Sequence, residues 1–452
     1  MQKIEMRNST PRKAEGRNSQ GETQSFVLRQ PGEPRARGWA EIGGFAPRQP
    51  EQNGGQRDIA FDCRFFLGDR PCKWHKSTGV LCKCEHYQRI TERILMIKLD
   101  AMGDVLRTTA LLPALAEAYP EAAITWITRR ESRPLLERNP YLSEVIEYGP
   151  DALAQLQARA FDRAINLDAG KISASLASSA NARQKDGFVL RARGFVQPTN
   201  LPARKWLEMG VFDDLKRQGR RTYQDLMLEI IGLPGAPHRY VLELTAEERS
   251  RGRMHLERLG VDLSRPVIGL NTGAGGRWEL KRWREDGYLE LVERLARKHD
   301  VQFVLLGGPE EHERHRRLAS RSRAPLIDTG CDNTVRHFAA IVAGCSLVIC
   351  GDTLAMHLSL ALGRRTIVLF GPTSAAEIEM YGLGEKIMPS MDCLACYKSR
   401  CDFAPNCMDL ISTDMVEAAV ERQLSLIRNS KWEIRNSKKM TVAEALLPVG
   451  AS

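Results

Sequence analysis

The sequence lacks three features, and each absence excludes a class of protein. The purest apolar stretch, residues 339–350, is shorter than the roughly 20 residues that a bilayer span requires. The first 25 residues contain no apolar segment of the kind a signal peptide needs. The net charge of +10 includes +3 from residues 1–60 and +3 from residues 428–452, which leaves +4 for the middle of the chain. We therefore expect a cytoplasmic protein without a nucleic-acid partner.

The 452 residues, of which 42% are hydrophobic, are enough for two packed domains. Apolar runs such as residues 93–99 alternate with helical patterns, which favours parallel sheets covered by helices on both faces. The same alternation begins again at residue 266, and residues 181–216 have no clear period and are predicted to be an irregular insertion.

These patterns divide the chain into seven segments. Residues 1–60 are rich in Gly, Gln, Arg and Asn, cannot bury a core, and are expected to be disordered or a spurious extension. The segments are 1–60; a Cys-rich stretch with candidate metal ligands, 61–90; a first α/β domain, 91–235; a linker, 236–265; a second α/β domain, 266–411; a closing helix, 412–427; and a disordered tail, 428–452.

Eleven cysteines without an export signal indicate reduced thiols or metal ligands. Eight of these cysteines form two sets. The set nearer the N-terminus could supply the four ligands of a tetrahedral structural zinc, with an iron–sulfur cluster or free thiols as alternatives. It comprises Cys63, Cys72, Cys82 and Cys84, with His75 and His86 nearby. The second set begins with Cys-x-x-Cys and could hold zinc, form a redox pair or remain as thiols; it comprises Cys393, Cys396, Cys401 and Cys407.

The loops after the strands carry the candidate functional residues, because ligands of doubly wound sheets bind at the carboxyl ends of the strands. Asp104 follows the first strand at the start of a helix, where it serves either as a cap or as an ionised base. Thr272 and Gly273 open a Gly-rich loop before Lys281, a group suited to a phosphate. This loop is neither a Walker loop nor a dinucleotide fingerprint, since Trp278 occupies the position of the last glycine.

Two further loops of the second domain have the same character. Glu310 and Glu311 follow a strand and could cap the next helix or accept the hydroxyls of a ribose. Gly351, Asp352 and Thr353 form an acidic turn before a helix that contains His357. This helix N-terminus suits a diphosphate, although a histidine on an apolar helix is often a core residue.

In this order the motifs resemble glycosyltransferase family 9, the ADP-heptose:lipopolysaccharide heptosyltransferases and their relatives. The resembling segments are ILMIKLDAMGDVLRTTALLPAL (94–115), LERNPYLSEVI (136–146), IGLNTGAGGRWELKRW (268–283), VLLGGPEE (304–311), GDTLAMHLSLALG (351–363) and LFGPT (369–373). The resemblance spans residues 91–427 and implies a GT-B fold, in which two Rossmann-like domains face a central cleft. The second cysteine set resembles a loop found in many members of the family.

The resemblance also implies a reaction: inverting transfer of a heptose or related sugar from a nucleotide diphosphate such as ADP to a lipopolysaccharide-core or other glycan acceptor. No Asp-x-Asp motif occurs, and no cofactor is expected for the transfer itself. Asp104 matches the family's catalytic base, and peripheral contact with the inner face of the cytoplasmic membrane is expected. The implied donor-side roles are leaving-group stabilisation by Lys281, Thr272 and the amides of Asp352 and Thr353; ribose binding by Glu310 or Glu311; and contact with the donor by Gly273, Gly351, Asp352 and His357.

One position departs from the family's pattern. Leu354 follows Asp-Thr where the family usually has Gly, and its side chain would crowd a close backbone approach. This favours an alternative, a non-catalytic nucleotide-sugar or metal-binding protein of the same fold. An NAD-dependent oxidoreductase is disfavoured, because the Gly fingerprint is absent after the first strand.

Overall fold

The computed structural model describes residues 58–276 and 278–444, with side chains to residue 429, and it consists mainly of two six-stranded sheets flanked by helices. The expected disordered extension therefore lies outside the described residues except for its last three positions. None of the helices in the described part of the chain combines the length and apolar composition that a bilayer crossing requires.

The first sheet has the strand order β3-β2-β1-β4-β5-β6, and all its pairs are parallel except β5 with β6. The elements up to the linker are α1 (Lys73–Thr78), β1 (Glu92–Ile97), α2 (Met102–Thr108), α3 (Leu112–Ala118), β2 (Ala122–Thr128), β3 (Glu144–Glu147), α4 (Pro150–Ala158), β4 (Ala160–Asn166), α5 (Lys171–Ser179), β5 (Asn181–Leu190), β6 (Val196–Pro198), α6 (Leu201–Val211), α7 (Asp213–Gln218) and α8 (Tyr223–Ile230).

The second sheet is entirely parallel, with the order β12-β11-β10-β7-β8-β9. Counted from its own first strand, this is the order 3-2-1-4-5-6 that the first sheet also has, the order of the Rossmann fold. Its elements, with the linker helix, are α9 (Ala246–Arg258), β7 (Val267–Asn271), α10 (Glu285–Lys298), β8 (Gln302–Leu306), α11 (His312–Arg321), β9 (Leu326–Asp328), α12 (Val335–Gly344), β10 (Leu347–Gly351), α13 (Leu354–Ala361), β11 (Arg365–Leu369), β12 (Gly384–Ile387) and α14 (Thr413–Glu444).

The central strands are buried on both faces, which explains their near-continuous apolar runs. In β1, Ile94 and Met96 enter one hydrophobic cluster, whereas Leu95 and Ile97 enter another. The strands β7 and β8 divide their side chains between two clusters in the same way. This doubly wound architecture confirms the fold class predicted from the sequence.

The two halves of the molecule meet through an apolar floor. Leu106 from α2 and Leu135 from a short 3-10 turn belong to the same buried cluster as Val304, Val348 and Met356 of the second half. The floor holds the carboxyl ends of β1 and β7 against a common crevice, in which the candidate residues lie.

The predicted irregular insertion at 181–216 is instead ordered as β5, β6, α6 and α7. Ala203 is the single fully buried residue of α6, Trp206 and Leu207 pack partly buried against the same core, and α7 has no buried residue. The apolar face of α6 is therefore short, and α7 buries no side chain that could mark it in the sequence. The closing helix also extends further than expected, because α14 continues to Glu444.

Candidate active site

Asp104 lies in the first turn of α2, where the chain crosses from β1 to the crevice. Its Oδ2 accepts a hydrogen bond from the Ala101 amide at 3.3 Å, and its Oδ1 lies 2.9 Å from Nε of Arg107. Burial opposes ionisation of the carboxyl group, but the charges of Arg107 and Lys98 outweigh it and lower the pKa of Asp104 to about 2. The side chain is 35% exposed, so the carboxylate is ionised and remains accessible from the crevice.

Two cations that the sequence analysis did not select keep this carboxylate charged. Lys98, the residue after β1, is buried and pairs with Asp168, which follows β4. Arg107 stacks over the Tyr223 ring at 3.8 Å and lies 3.9 Å from the Glu377 carboxylate of the second half. A lysine at the end of an otherwise apolar strand, and an arginine three residues after Asp104, were the available signals for these positions.

His357, on α13, meets α2 across the crevice. A Cβ built on Gly103 would lie 2.6 Å from Cδ2 of His357, so only glycine permits this approach. The other side of the ring is fixed by Tyr240, whose hydroxyl is 2.9 Å from Nδ1. Burial, with the nearby charge of Arg107, lowers the pKa of His357 to about 4, so the imidazole is neutral near pH 7.

Lys281 and Asp352 form an ion pair beside His357. Nζ of Lys281 is 2.9 Å from Oδ2 of Asp352 and 3.0 Å from its carbonyl oxygen. Burial raises the pKa of Asp352, but the charge of Lys281 and its hydrogen bond to the carboxylate lower the pKa by more, and the net shift is downward. Since an ammonium has three protons, Lys281 retains one donor for a ligand.

Gly351 and Thr353 complete the turn before α13. A Cβ on Gly351 would lie 2.8 Å from the Lys281 carbonyl oxygen, so glycine allows this loop and the turn to touch. The Thr353 hydroxyl donates to Oδ1 of Asn271 at the end of β7, at 2.9 Å. The turn and the Gly-rich loop therefore form one surface at the switch point of the second sheet.

Gly273 lies under the Glu311 carboxylate, and Thr272 precedes it directly after β7. Within the described residues, the buried Thr272 hydroxyl has no hydrogen-bond partner, and neither has Oε1 of Glu311. Oε2 of Glu311 accepts from the Gly308 amide at 2.8 Å, and a Cβ on Gly273 would lie 2.0 Å from Oε1. The sequence left Glu310 and Glu311 as alternatives; Glu311 lies buried in the crevice, whereas Glu310 is exposed beside Gly276.

The first cysteine set lines one cavity. This cavity, of about 390 Å³, is bounded by Cys63, Cys72, Cys82 and Cys84 together with His75 and His86. The thiols are unpaired, and the set contains no three ligand atoms within 4.8 Å of one another. A structural zinc here stays a prediction.

The second set surrounds Cys407. Burial raises the pKa of Cys407 to about 11, so this thiol keeps its proton near pH 7. The four thiols are unpaired, and this set also brings no three ligand atoms within 4.8 Å. A metal in this loop likewise stays a prediction.

The site lies between two Rossmann-like halves. The first half contributes the Asp104 carboxylate, and the second contributes the Lys281 ammonium with the unpartnered Thr272 hydroxyl and Glu311 Oε1. This arrangement defines a two-domain α/β transferase site. A family model described as glycosyltransferase family 9 (heptosyltransferase) matches residues 152–407, more than half of the chain. The chain belongs to this family, and it is a glycosyltransferase. The matched range contains all the donor-side candidates but not Asp104.

Curated relatives extend the similarity beyond the matched range. Lipopolysaccharide heptosyltransferase 2 of Salmonella typhimurium is 26% identical over 299 residues, which cover 62% of this chain and 83% of the relative. Lipopolysaccharide heptosyltransferase 1 of Escherichia coli O18:K1:H7 is 25% identical over 316 residues, which cover 65% and 90%.

Solved structures share the fold. A family 9 glycosyltransferase from Veillonella parvula superposes with a TM-score of 0.61 at 21% identity, covering 74% of this chain and 97% of its own. The ADP-heptose lps heptosyltransferase II of E. coli gives a TM-score of 0.56 at 20% identity, covering 74% and 99%.

Proposed function

We propose that the protein transfers a heptose or related sugar, with inversion, from a nucleotide diphosphate donor, ADP-heptose, to a lipopolysaccharide-core or other glycan acceptor. The observation that carries the proposal is the juxtaposition of Asp104 on one half with His357 and the Lys281–Asp352 pair on the other. The carboxylate and the cation would then flank a sugar bound in the crevice.

Asp104 is the proposed base. Its carboxylate accepts the proton of an acceptor hydroxyl while that oxygen bonds to the anomeric carbon, and the bond from this carbon to the diphosphate oxygen breaks on the opposite face. The diphosphate leaves with the bonding electron pair, and attack from the opposite face inverts the anomeric centre. The low pKa of Asp104 ensures that the group is ionised throughout the neutral range.

The departing diphosphate gains negative charge and requires donors that are already in place. Lys281 offers its remaining ammonium proton. The unpartnered hydroxyl of Thr272, at the start of the Gly-rich loop that leads to Lys281, is the second proposed donor. The amides of Asp352 and Thr353 precede α13, whose N-terminus favours an anion. Removal of one such donor typically reduces the rate by about 10²–10³-fold.

Glu311 is the proposed ribose ligand. One of its carboxylate oxygens accepts from the Gly308 amide, and the other is buried without a hydrogen-bond partner in the described residues, so a ribose hydroxyl would supply the missing donor. Neutral His357 would lie against the donor sugar or phosphates without adding charge.

Leu354 does not favour the non-catalytic alternative. Its side chain packs against the hydrophobic cluster at the floor of the crevice. The departure from the family's glycine is therefore accommodated in the core of the second half.

Substitution of the base tests the proposal. With ADP-heptose and a lipopolysaccharide-core acceptor, Asp104→Asn should lose transfer, measured as acceptor-dependent ADP release, while ADP binding measured by calorimetry is retained. The matched control is Asp151→Asn, which removes an exposed carboxylate from the first turn of α4 in the same half. Transfer by Asp104→Asn at the rate of the control would show that the base is misassigned.

For the acceptor, we propose peripheral contact with the inner face of the cytoplasmic membrane through the α6–α7 surface, defined as residues 195–221. Phe195, Leu201, Val211 and Phe212 are each more than half exposed there. The same surface carries six cationic residues and only three acidic ones. The cationic residues are Arg204, Lys205, Lys216, Arg217, Arg220 and Arg221. Exposed apolar side chains surrounded by cations suit an anionic lipid surface.

A further inference from the structure

A compact group of three metal-ligating side chains lies outside the transfer site and outside both cysteine sets. His315 belongs to α11, Asp328 ends β9, and Cys331 lies in the loop that follows. Their ligand atoms all lie within 4.8 Å of one another, and no other such group occurs in the described ranges. Nδ1 of His315 is 2.9 Å from Oδ1 of Asp328 and 3.3 Å from Sγ of Cys331.

The local fold holds the three groups in place. Oδ1 of Asp328 accepts the Gly330 amide at 2.9 Å, and Gly330 has φ of +81°, so the chain reverses and returns Cys331 over the histidine. A Cβ on Gly307 would lie 2.9 Å from Nε2 of His315, so the ring is pressed against the loop after β8. His315 and Cys331 are 0% and 1% exposed, whereas Asp328 reaches solvent.

A hydrogen bond can satisfy only one of the two Nδ1 contacts at a time. A single proton on Nδ1 can be donated fully to Asp328 or to Cys331, but not to both. If Nδ1 instead accepts the thiol proton, it faces the carboxylate oxygen without a proton between them. A cation that contacts all three atoms removes this conflict.

We propose that His315, Asp328 and Cys331 bind a divalent transition-metal ion of the zinc class. Imidazole nitrogen, thiolate and carboxylate are ligands that zinc accepts in a tetrahedral site, and the exposed side at Asp328 leaves the fourth position to water. Binding displaces the thiol proton to solvent and takes the imidazole as its neutral form. The ion would join α11 to the loop after β9 and so steady Glu311, one turn before His315.

The test compares bound zinc among variants of the full-length chain, because the other cysteine sets could also take up metal. Protein stripped with a chelator is equilibrated with zinc under reducing conditions, and zinc per chain is measured by mass spectrometry. Cys331→Ala should bind one ion fewer than the wild type. The matched control, Cys345→Ala, removes another buried thiol of the same half, one whose Sγ contacts the Ile341 carbonyl, and should bind as many ions as the wild type.

Asp328→Asn gives a second test that spares the core, since an amide oxygen can still accept the Gly330 proton. Loss of a direct ligand should weaken zinc binding at this site by more than the roughly 10–100-fold typical of outer-shell partners. With cobalt as the probe, the thiolate-to-cobalt absorption of this site should disappear in Cys331→Ala. Equal zinc content in wild type and Cys331→Ala, or an unchanged zinc affinity in Asp328→Asn, overturns the proposal.

Discussion

At the scale of single residues, the site depends on charges that burial would otherwise disfavour. Asp104 remains an anion because Arg107 and Lys98 are close, and Lys98 is itself balanced by Asp168. His357 has the opposite outcome, because burial and the charge of Arg107 together favour its neutral form. The crevice thus combines one ionised acid with one neutral imidazole.

The burial of His357 predicts that the free energy of unfolding depends on pH in the acidic range. Its pKa falls from 6.5 to about 4 on folding, so between these values the unfolded chain binds a proton that the folded chain does not. The free energy of unfolding should therefore decrease as the pH falls through this window, by an amount on the order of 3 kcal/mol. Urea unfolding at several pH values measures it.

His357→Gln should flatten this part of the profile. His312→Gln is the control, because that ring is nearly half exposed on the surface of α11, and it should leave the slope in place. The same slope in His357→Gln as in wild type would contradict the assigned burial of the imidazole.

The residues of the site divide into those that a local pattern reveals and those that it does not. Thr272 and Asp352 follow a strand directly, and Asp104 lies in the first turn of the helix after β1, so the strand–loop–helix pattern predicted their place at the crevice. Tyr240 and Glu377 come from the linker and from a loop after β11, and only packing brings them to His357 and Arg107. No spacing in the sequence marks such partners.

At the scale of elements, a wide apolar face gives a helix its periodic signal in the sequence. Helix α10 has such a face and buries Leu291, Val292 and Leu295 on one side. By contrast α6 and α7 bury almost nothing, and their region was wrongly expected to be irregular. A helix with a short apolar face, such as that of α6, or with no buried residue, such as α7, leaves a weak periodic signal.

The exposed apolar side chains of the α6–α7 surface lead to a prediction about membrane binding. The wild type should sediment with vesicles that contain phosphatidylglycerol, less so at high salt, and weakly with pure phosphatidylcholine vesicles. Val211→Ser combined with Phe212→Ser should lower the partition coefficient by about tenfold or more, since each apolar side chain contributes about 1.5–3 kcal/mol when fully buried.

The control for this experiment is Met254→Ser, which removes a similarly exposed apolar side chain from α9. Equal sedimentation of the double variant and the control would rule out this surface as the membrane contact.

At the scale of the whole molecule, contacts between the halves set the geometry of the crevice. Besides the apolar floor, Arg336 on α12 donates to the Pro134 carbonyl of the first half at 2.9 Å. The same guanidinium donates to the Glu243 carbonyl at 2.6 Å and pairs with Glu248 on α9. One side chain therefore connects the second half, the linker and the first half.

Arg336→Lys should loosen this connection while keeping a positive charge beside Glu248. A lysine lacks the planar fork that reaches both carbonyl oxygens, and loss of a hydrogen bond to a charged group costs about 1.5–3 kcal/mol. If the halves must be closed to bind nucleotide, the dissociation constant of ADP rises as the closed fraction falls, and we expect an increase of about tenfold or more. Calorimetry with ADP measures the affinity, and small-angle scattering should give a larger radius of gyration for the ligand-free variant.

Arg251→Lys is the control, because Arg251 is an exposed arginine paired with Glu247 within α9, and it should change neither quantity. An Arg336→Lys variant with wild-type ADP affinity and an unchanged radius of gyration would mean that the apolar floor alone fixes the two halves.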